Sequence, residues 1–443
     1  MKRLVLVFAL LAAVAACTGE TRFPTPTGKG TIRAINGVVG SPGIDFRIEE
    51  RLLGNIDYQN GTSGVRFDDF DFFFNFEIFL FGETRPTRIA SVPLKVDANK
   101  DYSLVISGDL MNPTVTIWEG DERIFDDAET VFEVRFSHSA ATMGDVDVYF
   151  AVDGTVPAIG EERGSLSFGE ILPAIDLEAG DYVLTVTRAG DPLDVLFQSG
   201  IATYLQQSAF IVSLFDGDET NTAEFVARAF SALGSFSLID ITALPTIRFI
   251  QASFDLANSD VYDDELLTSL VLSDHAFRDF TGDIQLPIGT TTYTYTTVGD
   301  TSAVLFESDI TTTPGNHFNF LVIGEPGARF AQTFVPDRRS ISTFAKVRPF
   351  HAALQNDSLD FYIVDAGVPI DDELPRIRMT YSFLSQFVPL DTGSYDIYAT
   401  VAGDKTIVAG PTQIDVVLGD VVELVIVDTV DPATADFLFL PTL

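Results

Sequence analysis

The stretch KVRPFHAALQNDSLDFYI at residues 346–363 decides the fold, because three earlier stretches resemble it. They are TIRAINGVVGSPGIDFRI at 31–48, EVRFSHSAATMGDVDVYF at 133–150 and TIRFIQASFDLANSDVYD at 246–263. In each, an Arg is followed twelve residues later by an Asp, giving the pairs Arg33/Asp45, Arg135/Asp147, Arg248/Asp260 and Arg348/Asp360. Successive Arg residues lie 102, 113 and 100 positions apart, which is the length of a small domain. The sequence therefore predicts four copies of one module.

Each copy has the pattern of an all-β fold. Short runs of β-branched and aromatic residues alternate with Gly, Asp, Asn and Pro turns, without a sustained helical period. The second copy contains eight such runs, from EVRFSH at 133–138 to AEFVARAF at 223–230. Seven or eight strands in about 100 residues are typical of immunoglobulin-like sandwiches. We therefore expect four tandem immunoglobulin-like β-sandwich modules after a lipoprotein signal peptide.

The start of the chain has the features of a secretion signal. Met1–Arg3 is positively charged and residues 4–16 are apolar, but this run is too short for a permanent membrane span. The ending at Cys17, the only cysteine, resembles the lipobox of bacterial lipoproteins. The resemblance implies a signal peptide at 1–16, a lipid-modified Cys17, and an outer-membrane location favoured by Thr18. An ordinary signal peptide with an accidental cysteine is the alternative, and the face of the membrane stays open.

Composition excludes one large class of partners. The chain has 64 acidic and 27 basic residues, which give a net charge of -37. Such a charge repels phosphate backbones, so nucleic acid binding is not expected. With 46% hydrophobic and 21% charged residues, the chain has the composition of a folded protein.

The recurring motifs also resemble a known family. An R-x-x-[NHQ]-[AG] opening, a loop to an Asp-containing strand, a G-x-Y hairpin such as Gly393-Ser394-Tyr395 and a late apolar strand recur along the chain. Together they resemble domain of unknown function 4397, which occurs in tandem on secreted and surface-anchored bacterial proteins. The resemblance covers residue 30 to the C-terminus four times over. It implies an immunoglobulin-like fold and supplies no catalytic residue.

The repeats also predict the domain boundaries. A lipidated Cys and tether at 17–29 precede modules at 30–127, 128–232, 244–336 and 343–443. Linkers are expected at 231–243 and 337–342. We expect the modules to form a rod or a bent string.

A polar residue recurs three positions after each Arg, nine positions before the Asp: Asn36, His138, Gln251 and His351. Because Asn and Gln replace His there, we predict a structural hydrogen bond to the Asp that closes a hairpin, rather than catalysis. In the alternative, the Asp accepts N–H groups of its own loop. The repeated Arg is expected to be solvated or loosely paired, with ligand binding as the alternative.

Other candidate sites are weaker. Asp126, Asp127 and Glu129 form an acidic cluster at the first junction, but without EF-hand spacing, so calcium stays only a possibility and no other cofactor is expected. Residues 67–81 contain eight Phe, which predict either a core strand or an exposed aromatic platform. No catalytic residue is predicted, because no nucleophile or metalloprotease motif occurs.

These observations favour a non-enzymatic lipoprotein of the outer membrane that serves in envelope interaction or adhesion. Its partners would be the membrane, through the lipid anchor, and an envelope protein or glycan. A carbohydrate- or calcium-binding envelope protein that serves a separate enzyme is the alternative, and a cryptic hydrolase comes third.

Overall fold

The computed structural model describes residues 25–441 and confirms the all-β prediction. These residues form 35 strands in eight sheets of four or five strands, and no α-helix occurs among them. No helix of the described part is therefore long and apolar enough to cross a membrane. The predicted signal peptide and Cys17 lie outside the described residues.

The strands fall into four consecutive groups along the chain, called here the first to fourth sandwich. In the first, the strands are β1 (Lys29–Gly37), β2 (Ile44–Ile48), β3 (Arg51–Ile56), β4 (Val65–Asp68), β5 (Asp71–Ile78), β6 (Thr87–Lys95), β7 (Lys100–Ser107) and β8 (Thr114–Asp121). They form two sheets in the orders β4-β1-β7-β8 and β3-β2-β5-β6.

The second sandwich has ten strands: β9 (Val131–His138), β10 (Val146–Ala151), β11 (Gly164–Leu166), β12 (Ile175–Glu178), β13 (Gly180–Arg188), β14 (Asp191–Gln198), β15 (Ala202–Tyr204), β16 (Ala209–Asp216), β17 (Phe225–Ser231) and β18 (Gly234–Leu238). Its sheets have the orders β12-β9-β16-β17-β18 and β11-β10-β13-β14, with β15 beside β13. Strand β18 lies inside the stretch 231–243, so the linker predicted there is wrong.

The third sandwich comprises β19 (Thr246–Gln251), β20 (Ser259–Tyr262), β21 (Leu270–His275), β22 (Ile284–Gln285), β23 (Gly289–Thr297), β24 (Asp300–Thr312), β25 (His317–Ile323) and β26 (Phe330–Phe334). The fourth comprises β27 (Ala345–His351), β28 (Ser358–Asp365), β29 (Ile377–Thr380), β30 (Phe383–Leu384), β31 (Val388–Leu390), β32 (Gly393–Val401), β33 (Ile407–Val416), β34 (Val421–Asp428) and β35 (Ala435–Leu440). The sheets of the third sandwich have the orders β22-β19-β25-β26 and β21-β20-β23-β24. Those of the fourth have the orders β30-β27-β34-β35 and β29-β28-β32-β33, and β31 also pairs with β27.

The two sheets of each sandwich carry different halves of the repeat. The repeated Arg lies on the first strand of one sheet, called the Arg sheet, and the repeated Asp lies on the next strand, in the facing Asp sheet. In every Arg sheet this first strand pairs in parallel with the late apolar strand. A separate buried core lies between each pair of sheets, with Ile32 and Phe46, Phe132 and Phe150, Phe249 and Tyr293, and Phe361 and Phe437 as examples.

The central part of the Phe-rich segment forms β5 of the first Asp sheet. Phe74 and Phe76 are fully buried, which agrees with the core interpretation, whereas Phe73 is 55% exposed. The polar side chains of Asn75 and Glu77 on this strand are buried as well. Glu77 pairs with Arg47 and Arg88, and Asn75 donates to the Glu49 carbonyl, so both buried side chains have polar partners.

The sandwiches also pack against one another through their Arg sheets. One apolar cluster joins the first and second sandwiches and is called the first interface: Ile35, Tyr58, Val105, Trp118, Phe215 and Phe230. A second cluster joins the third and fourth and is called the second interface: Ile250, Ala252, Leu321, Ile323, Phe350, Ala352, Val425, Val427, Leu438 and Leu440. Each Arg sheet is therefore covered on both faces.

Further contacts join the second sandwich to the third, and the first sandwich to the segment before the fourth. The Thr222 amide donates to the Gly315 carbonyl at 2.7 Å, between the second and third sandwiches. The Ser342 amide donates to the Gly40 carbonyl at 2.8 Å, between the segment before the fourth sandwich and the first. Of the two expected forms, a rod or a bent string, the straight rod is therefore wrong for residues 25–441, because the segment before the fourth sandwich contacts the first.

Candidate functional site

The recurring polar residue holds the loop that crosses from the Arg sheet to the Asp sheet. All four side chains, at 36, 138, 251 and 351, are 0% exposed. His138 Nδ1 accepts from the Ala140 amide at 3.2 Å, and Nε2 lies 2.7 Å from the Gly144 carbonyl oxygen. His351 repeats both contacts with Ala353 and Asn356. The ring therefore supplies one acceptor and one donor to its own loop.

The other two copies explain why the position accepts different residues. Asn36 Oδ1 accepts from the Val38 amide and its Nδ2 donates to the Ser41 hydroxyl. Gln251 Oε1 accepts from the Ser253 amide. Asn, Gln and neutral His all combine an acceptor with an N–H donor. Burial lowers the pKa of both His138 and His351, which keeps these rings neutral.

The predicted bond between this residue and the repeated Asp is wrong. The two strands belong to facing sheets and do not pair as a hairpin, so the two side chains serve different neighbours. Asp147 accepts from the Ser165 hydroxyl and the Gly190 amide, and Asp260 from the amides of Asp274 and Gly299. Each of these carboxylates joins its own strand to the neighbouring strand and to the turn of the next hairpin.

The remaining two copies vary this arrangement. Asp360 accepts two bonds from Arg378, at 2.7 and 2.8 Å, and one from the Gly403 amide. Asp45 accepts from Asn55 and pairs with Arg47, and no glycine amide bonds to it among residues 25–441. The partners of the repeated Asp therefore differ from the prediction, because they lie on neighbouring strands and hairpin turns.

Sequence reasoning missed the glycine of the hairpin turn. Gly190, Gly299 and Gly403 have φ of 78°, 71° and 78°, a left-handed conformation that glycine adopts without strain. A signal was present, since each glycine precedes an Asp and follows Ala or Val: Ala189-Gly190-Asp191, Val298-Gly299-Asp300 and Ala402-Gly403-Asp404. These triplets mark where the turn meets the repeated carboxylate.

The repeated Arg residues face the interfaces and not bulk solvent. Arg33, Arg248 and Arg348 are 7%, 2% and 8% exposed, and Arg135 is half-buried. The expectation of a solvated Arg is therefore wrong for three copies, because a neighbouring sandwich covers the outer face of each Arg sheet.

In the second interface, acidic side chains accompany these Arg residues. The Arg348 guanidinium donates to the Glu423 carboxylate, which also accepts from Asn319 Nδ2 of the third sandwich at 3.2 Å. Arg248 Nη2 lies 3.8 Å from a carboxylate oxygen of Asp283, which is also paired with Arg338. The second interface thus brings charged groups of both signs together within the fold.

The first interface instead contains a cavity, which is the candidate functional site. Its volume is about 300 Å³ and its lining includes Arg33, Arg135, Asp101, Glu133, Trp118 and Phe210. Arg33 Nη1 is buried and has no hydrogen-bond partner in the described part of the chain. Burial lowers the pKa of Arg33, an effect that Asp101 opposes, and burial raises the pKa of Asp101 and Glu133.

The acidic residues of the first junction contact neighbouring side chains in this structure. Glu129 is paired with Arg123 at 2.7 Å. Gln207 Nε2 donates to the backbone carbonyls of Asp126, Asp127 and Glu129, which ties the junction to the second sandwich. Across residues 25–441 no group of three or more His, Cys, Asp or Glu is placed to hold a metal ion.

Comparison with known proteins identifies one region. Two solved structures are similar to the chain: the Bacillus anthracis TIE protein, at 10% identity over 91% of this chain and 69% of that one, with a TM-score of 0.16; and a product complex of a multi-modular glycogen-degrading pneumococcal virulence factor, SpuA, at 8% identity over 86% and 38%, with a TM-score of 0.15. No curated protein matches. Residues 245–362 match the family described as Domain of unknown function (DUF4397).

Proposed function

We propose that this chain is a non-enzymatic binding protein of the bacterial envelope, held at the outer membrane by a lipid on Cys17. The cavity of the first interface carries the binding part of this proposal. It offers guanidinium donors, carboxylate acceptors and aromatic surface, and neither His nor Cys belongs to its lining. Concave polar and aromatic surface of this kind suits recognition of a ligand.

The recurring polar residues support the same conclusion. The two histidines best placed to act as bases are neutral and are held by contacts with their own loops. The repeated carboxylates at 147, 260 and 360 are likewise engaged by hairpin amides and neighbouring strands. These repeated groups therefore already serve the loops and strands around them.

The anchor is tested by fractionation with metabolic palmitate labelling. Wild-type protein is expected to be labelled and to sediment with the outer membrane, whereas Cys17→Ser is expected to be unlabelled and released. Thr18→Asp is the matched control, because it keeps the lipidated cysteine and should only shift the labelled protein toward the inner membrane. Unlabelled wild-type protein in the soluble fraction would refute the anchor.

The binding role is tested with soluble full-length Cys17→Ser protein. Envelope pull-downs and glycan arrays are run beside a hydrolase panel, with and without divalent cations. We expect retention of an envelope component and no turnover. Turnover that disappears in Asp101→Asn, Glu133→Gln or His138→Asn would replace the binding role with an enzymatic one.

A further inference from the structure

The two interfaces are built from equivalent positions of the repeat, so their residues can be compared position by position. In each Arg sheet the repeated Arg lies in parallel register with one residue of the late strand. The four pairs are Arg33 with Ser103, Arg135 with Ile211, Arg248 with Asn319, and Arg348 with Glu423. The second interface therefore has Asn and Glu where the first has Ser and Ile.

This difference leaves the first interface without an internal carboxylate at that position. In the second interface, Glu423 occupies the position and accepts from both Arg348 and Asn319. Ser103 is too short to replace that carboxylate, and Ile211 has no polar group. The cavity of about 300 Å³ includes both of these residues in its lining.

The two Arg residues of the cavity differ in their contacts within the protein. Arg135 donates from Nε to the Leu172 carbonyl and from Nη1 to the Glu119 carbonyl, which belongs to the first sandwich. Arg33 is only 7% exposed, yet its Nη1 has no acceptor within residues 25–441. A buried charged donor without a partner is costly, and a charged acceptor from outside would satisfy it.

The rest of the lining indicates what accompanies that acceptor. Asp101 and Glu133 offer carboxyl oxygens, which suit hydroxyl donors. Trp118 and Phe210 add aromatic surface, and the volume lies at the lower end of small-molecule pockets.

We infer that the cavity of the first interface binds a small hydroxylated carboxylate of the sugar-acid class. Its carboxylate lies between Arg33 and Arg135, where it supplies the charge that Glu423 supplies in the second interface. Its hydroxyl groups donate to Asp101 and Glu133. This inference rests on the proposed binding function and deepens it by naming a ligand class.

The test uses soluble full-length Cys17→Ser protein and three probes: D-glucuronate, acetate and D-glucose. Calorimetric titration and thermal unfolding are measured with each probe up to about 20 mM, a range that detects millimolar affinity. We expect D-glucuronate to bind and to raise the unfolding temperature of the first two sandwiches. Acetate and D-glucose should each bind at least about tenfold more weakly, because each lacks one half of the contacts.

Two variants separate ligand binding from folding. Arg33→Met should abolish D-glucuronate binding without lowering the unfolding temperature of the ligand-free protein, since burial of this charge costs more than its attraction to Asp101 returns. Ser103→Glu should place an internal carboxylate beside Arg33, exclude the ligand and stabilise the ligand-free protein. Arg248→Met is the matched control in the second interface and should leave D-glucuronate binding unchanged.

Several results would overturn the inference. They are the absence of D-glucuronate binding, equal affinity for D-glucose or acetate, and undiminished D-glucuronate binding in both Arg33→Met and Ser103→Glu. A loss of D-glucuronate binding in Arg248→Met would also overturn it. If only this inference fails, Cys17 labelling, envelope retention and the lack of turnover remain as proposed; if the proposed function fails, those measurements change.

Discussion

The loop position of His351 provides the sharpest energetic test of the fold. Its Nδ1 accepts from the Ala353 amide at 3.3 Å, and its Nε2 lies 2.7 Å from the Asn356 carbonyl oxygen. A second proton on the ring would occupy Nδ1 and place a charge in a site that is 0% exposed. Burial therefore lowers the pKa of His351 to about 4.

The sign of the pH effect follows from proton binding. In the unfolded chain this ring takes up its second proton near pH 6.5, and in the folded chain only near pH 4. Between these values the unfolded state binds more protons, so the contribution of His351 to stability is complete above pH 6.5 and falls as the pH drops. A fall in pKa from 6.5 to about 4 corresponds to about 3 kcal/mol.

His351→Asn should remove most of this dependence, because Asn36 fills the equivalent position in the first sandwich with no titrating group. Denaturant unfolding from pH 7 to 4, followed by hydrogen exchange with mass spectrometry, reports the fourth sandwich separately. His138→Asn is the matched control and should alter the pH dependence of stability in the second sandwich instead. A His351→Asn protein that keeps the wild-type pH dependence in residues 345–440 would refute the reasoning.

Two further predictions concern the paired groups. Asp147→Ala should destabilise the second sandwich by about 1–3 kcal/mol, because the Ser165 hydroxyl and the Gly190 amide lose their acceptor; equilibrium unfolding measures this, and an unchanged midpoint would contradict it. Glu423→Gln should lower the free energy of unfolding by about 3–5 kcal/mol, because Arg348 loses its buried partner. The stability of the third and fourth sandwiches should fall together. Loss confined to the fourth sandwich would show that Glu423 does not support the interface.

Local sequence patterns predicted the fold class well. Strand β34 coincides with the late apolar run in the fourth copy, and β5 buries the Phe side chains at 74 and 76. Such patterns indicate which residues are buried, because the order of apolar and polar residues within a strand determines which of its faces packs against the core.

The partners of the site residues could not be predicted in the same way. A spacing of nine residues between His138 and Asp147 suits a hairpin, but the same loop crosses between two sheets, and only tertiary pairing distinguishes these cases. A clue to the interfaces was nevertheless present. Continuous apolar runs such as Leu104-Val105-Ile106 are typical of strands that are buried on both faces.

The cavity cannot be predicted from the sequence of a single copy of the repeat. It arises because Arg33 and Arg135 come from different sandwiches that meet face to face, while position 103 carries Ser and position 211 carries Ile. Only a comparison of the two assembled interfaces shows what the first one lacks.

The central claim is that the sandwiches are coupled as pairs through their Arg sheets. The most direct measurement is hydrogen exchange on the full chain with Phe215→Arg, which places a charge in the first interface while leaving the core of the second sandwich intact. We predict lost protection in both the first and second sandwiches, the same result for Ile35→Arg from the other side, and no change across residues 345–440. Lost protection only in the sandwich that carries the substitution would contradict the claim.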